Sequence, residues 1–223
     1  MNKNLEDNLG KISMLVVFGY LAYTQVSTIL RIIMNRQQIP MWELLLVSVV
    51  FSTIFLALIL YFTVTRLPPK DSAAGLEPRL TAIGGTFAMM VLIVLPPGEV
   101  SAEMRVLSTV LIIIGTVLSV YCIRQLGRSF SIMASARELV TEGPYKIIRH
   151  PLYGAEVVSI IGIALGHWSP AAAVVGLIWL GLQIRRAQHE EKVLRSSFPE
   201  YADYARRVPM LLPGFMMPGA SRA

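Results

Sequence analysis

Seven residues with chemical reach cluster where this chain passes into and out of an apolar stretch. Tyr145, Arg149, His150, Pro151 and Tyr153 stand at its beginning, and Glu190 and Glu191 follow its end. Cations, an imidazole and carboxylates are expensive at membrane depth, so a chain that keeps them there uses them. Pro151 suits the first turn of a helix, where its missing N–H leaves nothing unpaired. Such a start offers free backbone N–H groups and a partial positive charge to an anion. Arg149 and His150 add donors to the same anion, while Glu190 and Glu191 suit an ammonium or a pair of ribose hydroxyls. A ligand carrying a carboxylate, an ammonium and a ribose is an amino-acid nucleoside. A second reading stays open for the same residues: Arg149, His150, Tyr145 and Tyr153 as interfacial anchors, and the two glutamates as helical partners of Arg186 and Arg195.

The elements that must position these groups are membrane helices. The chain has 223 residues, 54% of them hydrophobic and 15% charged, and its mean hydropathy is +0.59, far from an ordinary soluble domain. Apolar runs at Ile12 to Met34, Trp42 to Thr65, Leu80 to Pro96 and Val106 to Ile123 approach or exceed the roughly 20 residues a helix needs to cross the hydrocarbon core. Leu152 to Ile184 is apolar too, but Gly166-His167-Trp168-Ser169-Pro170 breaks it into two arms, each short for a full span. The expected fold is therefore all-α and polytopic: four transmembrane helices and a C-terminal helical hairpin, five to six membrane segments in all. Residues 1–223 read as one membrane domain, with two helices and a loop in 1–79 and a core in 80–223 whose motifs lie in 124–214. No small-residue cleavage site follows the first run, which is expected to stay as a helix.

Arg66 to Pro78 reads as a loop, because its prolines and glycine interrupt helical hydrogen bonding. Arg124 to Arg149 is too polar to span and reads as a connector on the membrane face, where Arg128 and Phe130 suit either a cleft wall or an amphipathic surface. Tyr201, Tyr204 and Val208 put one face of a short terminal helix toward the protein, and Pro209 and Pro213-Gly214 stop it. Gly84-Gly85 and the glycines at 162 and 166 suit close helix approach. His167 and Trp168 read as interface residues at the hairpin tip.

Of the 20 Lys and Arg residues, 17 fall on one side of a six-segment topology, so both termini are expected in the cytoplasm. In a prokaryote the plasma (inner) membrane is the expected location. The basic pI of 9.7 then follows from topology and from attraction to anionic lipids. Nucleic acid is not needed as a partner, and no metal site is expected. The single cysteine, Cys122, excludes a disulfide within the chain.

Leu126-Gly127-Arg128-Ser129-Phe130-Ser131, Leu139-Val140-Thr141-Glu142-Gly143-Pro144-Tyr145, Arg149-His150-Pro151-x-Tyr153, Glu190-Glu191, Phe198 to Tyr204 and Arg207-Val208-Pro209 together resemble the isoprenylcysteine carboxyl methyltransferase family, which groups with the phospholipid N-methyltransferases. The chain departs from that pattern in having Gly154 then Ala155 after Tyr153, and His189 before the paired acids. The resemblance implies an integral membrane enzyme that takes S-adenosyl-L-methionine from the cytoplasmic side and a lipophilic or lipid-modified acceptor, an isoprenylcysteine-like carboxylate or a related lipid, from the bilayer. It implies cofactor contacts for Tyr145, Arg149, His150, Pro151, Tyr153, Glu190 and Glu191, and an acceptor-orienting role for Arg186. Where the methyl acceptor is an amine, Glu156, three residues after Tyr153 and on nearly the same helix face, or His150 is the candidate proton acceptor. Two other functions fit the same architecture: a membrane reductase using NADPH, and a non-catalytic membrane scaffold.

Overall fold

The computed structural model describes residues 3–211, with side chains from Gly10 onward. It is a helical membrane protein. The chain runs through α1 (Lys3–Met34), α2 (Trp42–Thr65), β1 (Asp71–Ser72), α3 (Leu76–Phe87), α4 (Ala102–Leu126), β2 (Ser135–Ala136), α5 (Pro151–His167), α6 (Pro170–Ser197) and α7 (Tyr201–Arg207). Among the described residues, four segments are long and apolar enough to cross a membrane: Gly10–Met34, Trp42–Thr65, Leu76–Ile93 and Ala102–Ser129. The expected stop at Pro213-Gly214 lies outside the described residues.

The elements begin where local chemistry lets them. Ser101 caps α4 by accepting from the Met104 N–H at 3.2 Å, and Ser169 caps α6 through the Ala172 N–H at 3.1 Å, each satisfying one of the donors a helix start leaves unpaired. Pro151 and Pro170 occupy first turns, as proline prefers. The hairpin tip closes on Trp168, whose left-handed φ of 43° ends α5. His167 there lies 2.8 Å from Ser169 Oγ and 3.2 Å from the Leu95 carbonyl oxygen.

Two boundaries differ from the sequence expectation. Helix α3 starts four residues before the apolar run, because Pro78 falls in its first turn, where no N–H is required; a 3-10 turn over Ala88–Ile93 continues it. The loop after α2 is not wholly irregular: β1 pairs antiparallel with β2 in the connector, Asp71 opposite Ala136 and Ser72 opposite Ser135. The second hairpin arm and the polar helix after it form one unbroken helix, α6, of 28 residues. That is roughly 42 Å at 1.5 Å per residue.

Helices α4 and α5 make the most extensive pairing, and glycines permit it. A Cβ on Gly162 would lie 2.7 Å from the Ser108 carbonyl oxygen, and one on Gly115 would lie 2.5 Å from the Ser159 backbone nitrogen. Ser108 Oγ donates to the Gly162 carbonyl at 2.8 Å, binding the pair at their closest point. In lipid there is little hydrophobic drive between helices, so such close packing carries the association. Gly162→Ala should therefore destabilise the protein by about 2 kcal/mol, the usual cost of overpacking; thermal unfolding in detergent measures it, and an unchanged midpoint would contradict the packing account.

Buried Ile59, Ala82, Cys122, Ile123, Phe130, Ile132 and Leu152 join α2, α3, α4, the connector and α5 in one core. Cys122 packs inside this core rather than facing lipid. A second cluster gathers Ala136, Val193, Phe198, Tyr201, Tyr204, Ala205 and Val208 around α7. The interfacial end of the molecule is thus a packed layer in its own right, and the candidate site lies within it.

Candidate functional site

The start of α5, the middle of α6 and the face of α7 converge on a polar network. Arg149 lies just before α5, held by backbone bonds in which the Arg149 N–H donates to the Pro209 carbonyl at 2.9 Å and the His150 N–H to the Met210 carbonyl at 3.1 Å. Its guanidinium forks onto Glu191, Nε to Oε1 at 2.7 Å and Nη2 to Oε2 at 3.0 Å. Nη1 donates to the carbonyls of Ala205 at 2.9 Å and Val208 at 2.5 Å. The planar fork of arginine suits this bidentate geometry, which lysine does not reproduce.

Glu191 is 7% exposed and also accepts from the Tyr201 hydroxyl at 2.6 Å, with His150 Nε2 3.1 Å from Oε1. Burial opposes its ionisation, but the hydrogen bonds from His150, Arg149 and Tyr201 outweigh burial and hold its carboxyl down at about 2. The neighbouring phenols shift the other way. Burial raises Tyr145 and Tyr201 well above the ordinary tyrosine value, the Glu191 charge adding to the rise at Tyr201, and burial pushes Tyr204 up to about 12. The Tyr201 and Tyr204 hydroxyls act as donors. Tyr204 donates to the Tyr145 carbonyl at 2.6 Å, pinning the 3-10 turn of Gly143–Lys146 against α7.

Glu190 points elsewhere, into a cleft. Tyr153 donates its hydroxyl to Oε1, His150 Nδ1 lies 3.7 Å from Oε2, and Arg186 Nε lies 3.6 Å from Oε1. The His150 and Tyr153 rings stack with centroids 5.4 Å apart and planes 1° from parallel. The Arg186 guanidinium covers the Tyr153 ring at 4.9 Å. Arg186 is 5% exposed, yet its Nε has no hydrogen-bond partner among the described residues.

The cleft holds about 620 Å³ of empty space, its mouth included. Tyr145, Arg149, His150, Tyr153, Arg186 and Glu190 line it, with Leu126, Phe130, Leu139, Val140 and Leu152 as apolar walls and Tyr201 and Tyr204 closing it from α7. A cleft with a few convergent polar groups between apolar walls has the character of a small-molecule site. A second cavity of about 850 Å³ on the same measure lies deeper among the helices. Phe130 and Arg186 line both cavities, so they form the partition between them.

The structure divides the sequence-derived residues into three groups. Tyr145, Arg149, His150, Tyr153, Glu190 and Arg186 border the cleft; Glu156 lines the deeper cavity and accepts from Gln183 Nε2. Pro151 and Glu191 are buried beside the cleft without lining it, Pro151 as the first residue of α5 and Glu191 as the anchor of Arg149. The pairings expected under the alternative reading are also present, Arg186 with Glu190 and, at 3.5 Å, Arg195 with Glu191. Phe130 is a cleft wall, whereas exposed Arg128 donates from Nε to the Thr65 carbonyl at 2.7 Å. The sequence placed Tyr201 and Tyr204 on an inward face but gave no sign that they close the cleft. Their hydroxyl partners, Glu191 and the Tyr145 carbonyl, lie in other segments. No group of His, Cys, Asp and Glu among the described residues has the geometry of a metal site.

Residues 104–201 match the family model described as phospholipid methyltransferase. The chain is 33% identical over 111 residues to protein-S-isoprenylcysteine O-methyltransferase B of Arabidopsis thaliana, covering 46% of this chain and 56% of that protein. It is 37% identical over 75 residues to methanethiol S-methyltransferase 2 of Bradyrhizobium diazoefficiens, covering 31% and 26%. It is 40% identical over 77 residues to the nickel-cobalt-cadmium resistance protein NccN of Alcaligenes xylosoxydans xylosoxydans, covering 34% and 36%. The matched segments thus span between about a quarter and just over half of these relatives. Both the partition and the polar network lie inside the matched stretch except for the α7 residues beyond Tyr201 and the backbone bonds to Pro209 and Met210, and through that stretch the chain resembles the phospholipid methyltransferase family.

Proposed function

We propose that this protein transfers a methyl group from S-adenosyl-L-methionine to a lipophilic acceptor drawn from the bilayer, with the cofactor cleft on the cytoplasmic face. The observation that carries the reading is the shared partition: Arg186 and Phe130 border a cleft where several charged groups converge and, on the other side, a cavity whose lining includes Glu156 and Arg186 as its ionisable residues. Two substrates can meet there without passing through each other's site.

The residues present fit the cofactor. Glu190 faces the cleft with one oxygen taking the Tyr153 hydroxyl and the other 3.7 Å from His150, which leaves acceptor capacity for an ammonium or ribose hydroxyls. His150 and the first turn of α5 suit the carboxylate, and Leu126, Leu139 and Val140 suit a flat purine. Arg149 and Glu191 set the shape of this cleft by tying α5, α6 and α7 together. When bound, the sulfonium supplies an activated methyl group, and the protein's remaining tasks are alignment and exclusion of water. Arg186 orients the acceptor at the partition. Relatives named as O- and S-methyltransferases support methyl transfer as the reaction class.

Equilibrium binding of labelled S-adenosylmethionine in detergent tests the reading. Glu190→Gln should weaken that binding at least about tenfold, since a charge-assisted hydrogen bond is worth about 1.5 to 3 kcal/mol. Failure of the wild type to bind would end the proposal, and displacement by NADPH but not by S-adenosylhomocysteine would point to a reductase instead.

A further inference from the structure

Two carboxylates line the cleft, Glu190 and Glu138. They differ in what already holds them. Glu190 accepts from the Tyr153 hydroxyl, with His150 Nδ1 at 3.7 Å and Arg186 Nε at 3.6 Å. Glu138 is exposed on the cleft's rim, and among the described residues it has no hydrogen-bond or ion-pair partner.

The backbone that carries Glu138 is nevertheless tied down. It follows directly on β2 and Arg137, where the Lys70 N–H donates to the Ala136 carbonyl at 2.8 Å and the Ala73 N–H to the Ala134 carbonyl at 2.9 Å. Arg137, 4% exposed, donates from Nη1 to the Leu67 carbonyl. On the other side of Glu138, Leu139 packs on the α7 cluster and lines the cleft together with Val140. A carboxylate without a protein partner, on a stretch of chain fixed at both ends, is preorganised for a ligand.

The cofactor sets two tasks for acceptors in this cleft, its ammonium and its ribose diol, and its own covalent structure sorts them. Ammonium and carboxylate sit on one carbon atom, so the group that takes the first must stand beside those that take the second. Glu190 stands beside His150 at the start of α5, which suits the carboxylate. The ribose instead carries the purine, and the walls suited to a purine include Leu139 and Val140, the two residues after Glu138. A carboxylate offers one oxygen to each hydroxyl of a vicinal diol, in charge-assisted bonds roughly twice as strong as neutral ones. Ser131 and Tyr145 also line the cleft, but each brings a single neutral hydroxyl.

We infer that Glu138 binds the two ribose hydroxyls of the cofactor and leaves Glu190 for the ammonium. The inference rests on the methyltransferase reading and adds to it a binding residue from the connector, outside the paired acids.

Equilibrium binding of S-adenosylhomocysteine and of its dideoxyribose analogue to the full chain in detergent measures this contact without turnover. The wild type should bind the analogue about five- to tenfold more weakly than the parent, the lower end of what charge-assisted bonds supply, because the rim is wet. Glu138→Ala should bind the parent as weakly as the wild type binds the analogue, with no difference left between the two ligands. Ser131→Ala should keep the wild-type difference. Glu138→Gln supplies the same comparison if the alanine variant does not fold, and it should lose most of the difference. A wild type indifferent to the hydroxyls overturns the inference, and so does a difference that survives in the Glu138 variants or disappears in Ser131→Ala. Failure of the wild type to bind the parent ligand at all is a separate outcome, and it would remove the methyltransferase reading on which the inference stands.

Discussion

Arg149→Ala is expected to unfold the interfacial layer rather than merely weaken a ligand. The substitution removes the bidentate partner of Glu191 and the donors to the Ala205 and Val208 carbonyls, while Glu191 stays in a site where it is 7% exposed. Breaking a buried ion pair from one side costs about 3–5 kcal/mol, because the remaining charge is left uncompensated. For a chain of this size that corresponds to a fall in unfolding midpoint on the order of 10 °C. The double variant Arg149→Ala with Glu191→Ala should recover part of the loss, since it removes the stranded carboxylate as well. Equal midpoints for the single and double variants would show that Glu191 is not held as described.

The same latch gives a pH dependence with a definite sign. The Glu191 carboxyl is lowered from an ordinary 4.5 to about 2 in the folded protein. A group depressed in this way contributes its stabilisation above its unfolded value and loses it as pH falls through the folded one. The midpoint of wild-type unfolding should therefore drop as pH is lowered from about 4.5 toward about 2, and Glu191→Gln should flatten that part of the curve.

Arg186→Lys should separate binding from turnover. Lysine keeps the charge but loses the planar group that covers the Tyr153 ring at 4.9 Å and borders both cavities. Methyl transfer depends on alignment, and a displacement near 1 Å costs about 100-fold in rate. We expect turnover to fall by that order while cofactor affinity changes by less than about threefold, because Glu190, His150 and Tyr153 remain in place. A matching loss of affinity would move Arg186 out of the partition and into the cofactor site.

What was legible in the sequence follows from how local its cause was. Proline at the start of α5 and the break at residues 166–170 are written in single residues whose backbone chemistry allows few conformations. Glu190 and Glu191 were legible as a pair, but their division was not: one faces the cleft and its neighbour anchors Arg149, because adjacent residues on a helix point about 100° apart. The fork between Arg149 and Glu191 spans 42 positions, and nothing in either segment announces the other. Strands β1 and β2 have two residues each, too short to show an alternating pattern. Phe18 and Phe55 escaped notice for a different reason. Helices α1 and α2 are apolar on nearly every side, so no periodicity distinguishes a residue that lines a cavity from one that faces lipid.

Helix α6 runs without interruption from Pro170 to Ser197 and carries Trp179, whose indole donates to the Gly85 carbonyl at 2.8 Å, as well as Glu190 in the cleft. Because α6 is unbroken, an outward swing of the cleft wall it forms is resisted by the tryptophan's hydrogen bond to α3. The opposite rim is built more lightly, from the short turn around Tyr145 and the seven-residue α7, joined where the Tyr204 hydroxyl donates to the Tyr145 carbonyl. The cleft thus has one wall of long continuous helix and one of short pieces, and the two differ in how many bonds must break for either to move.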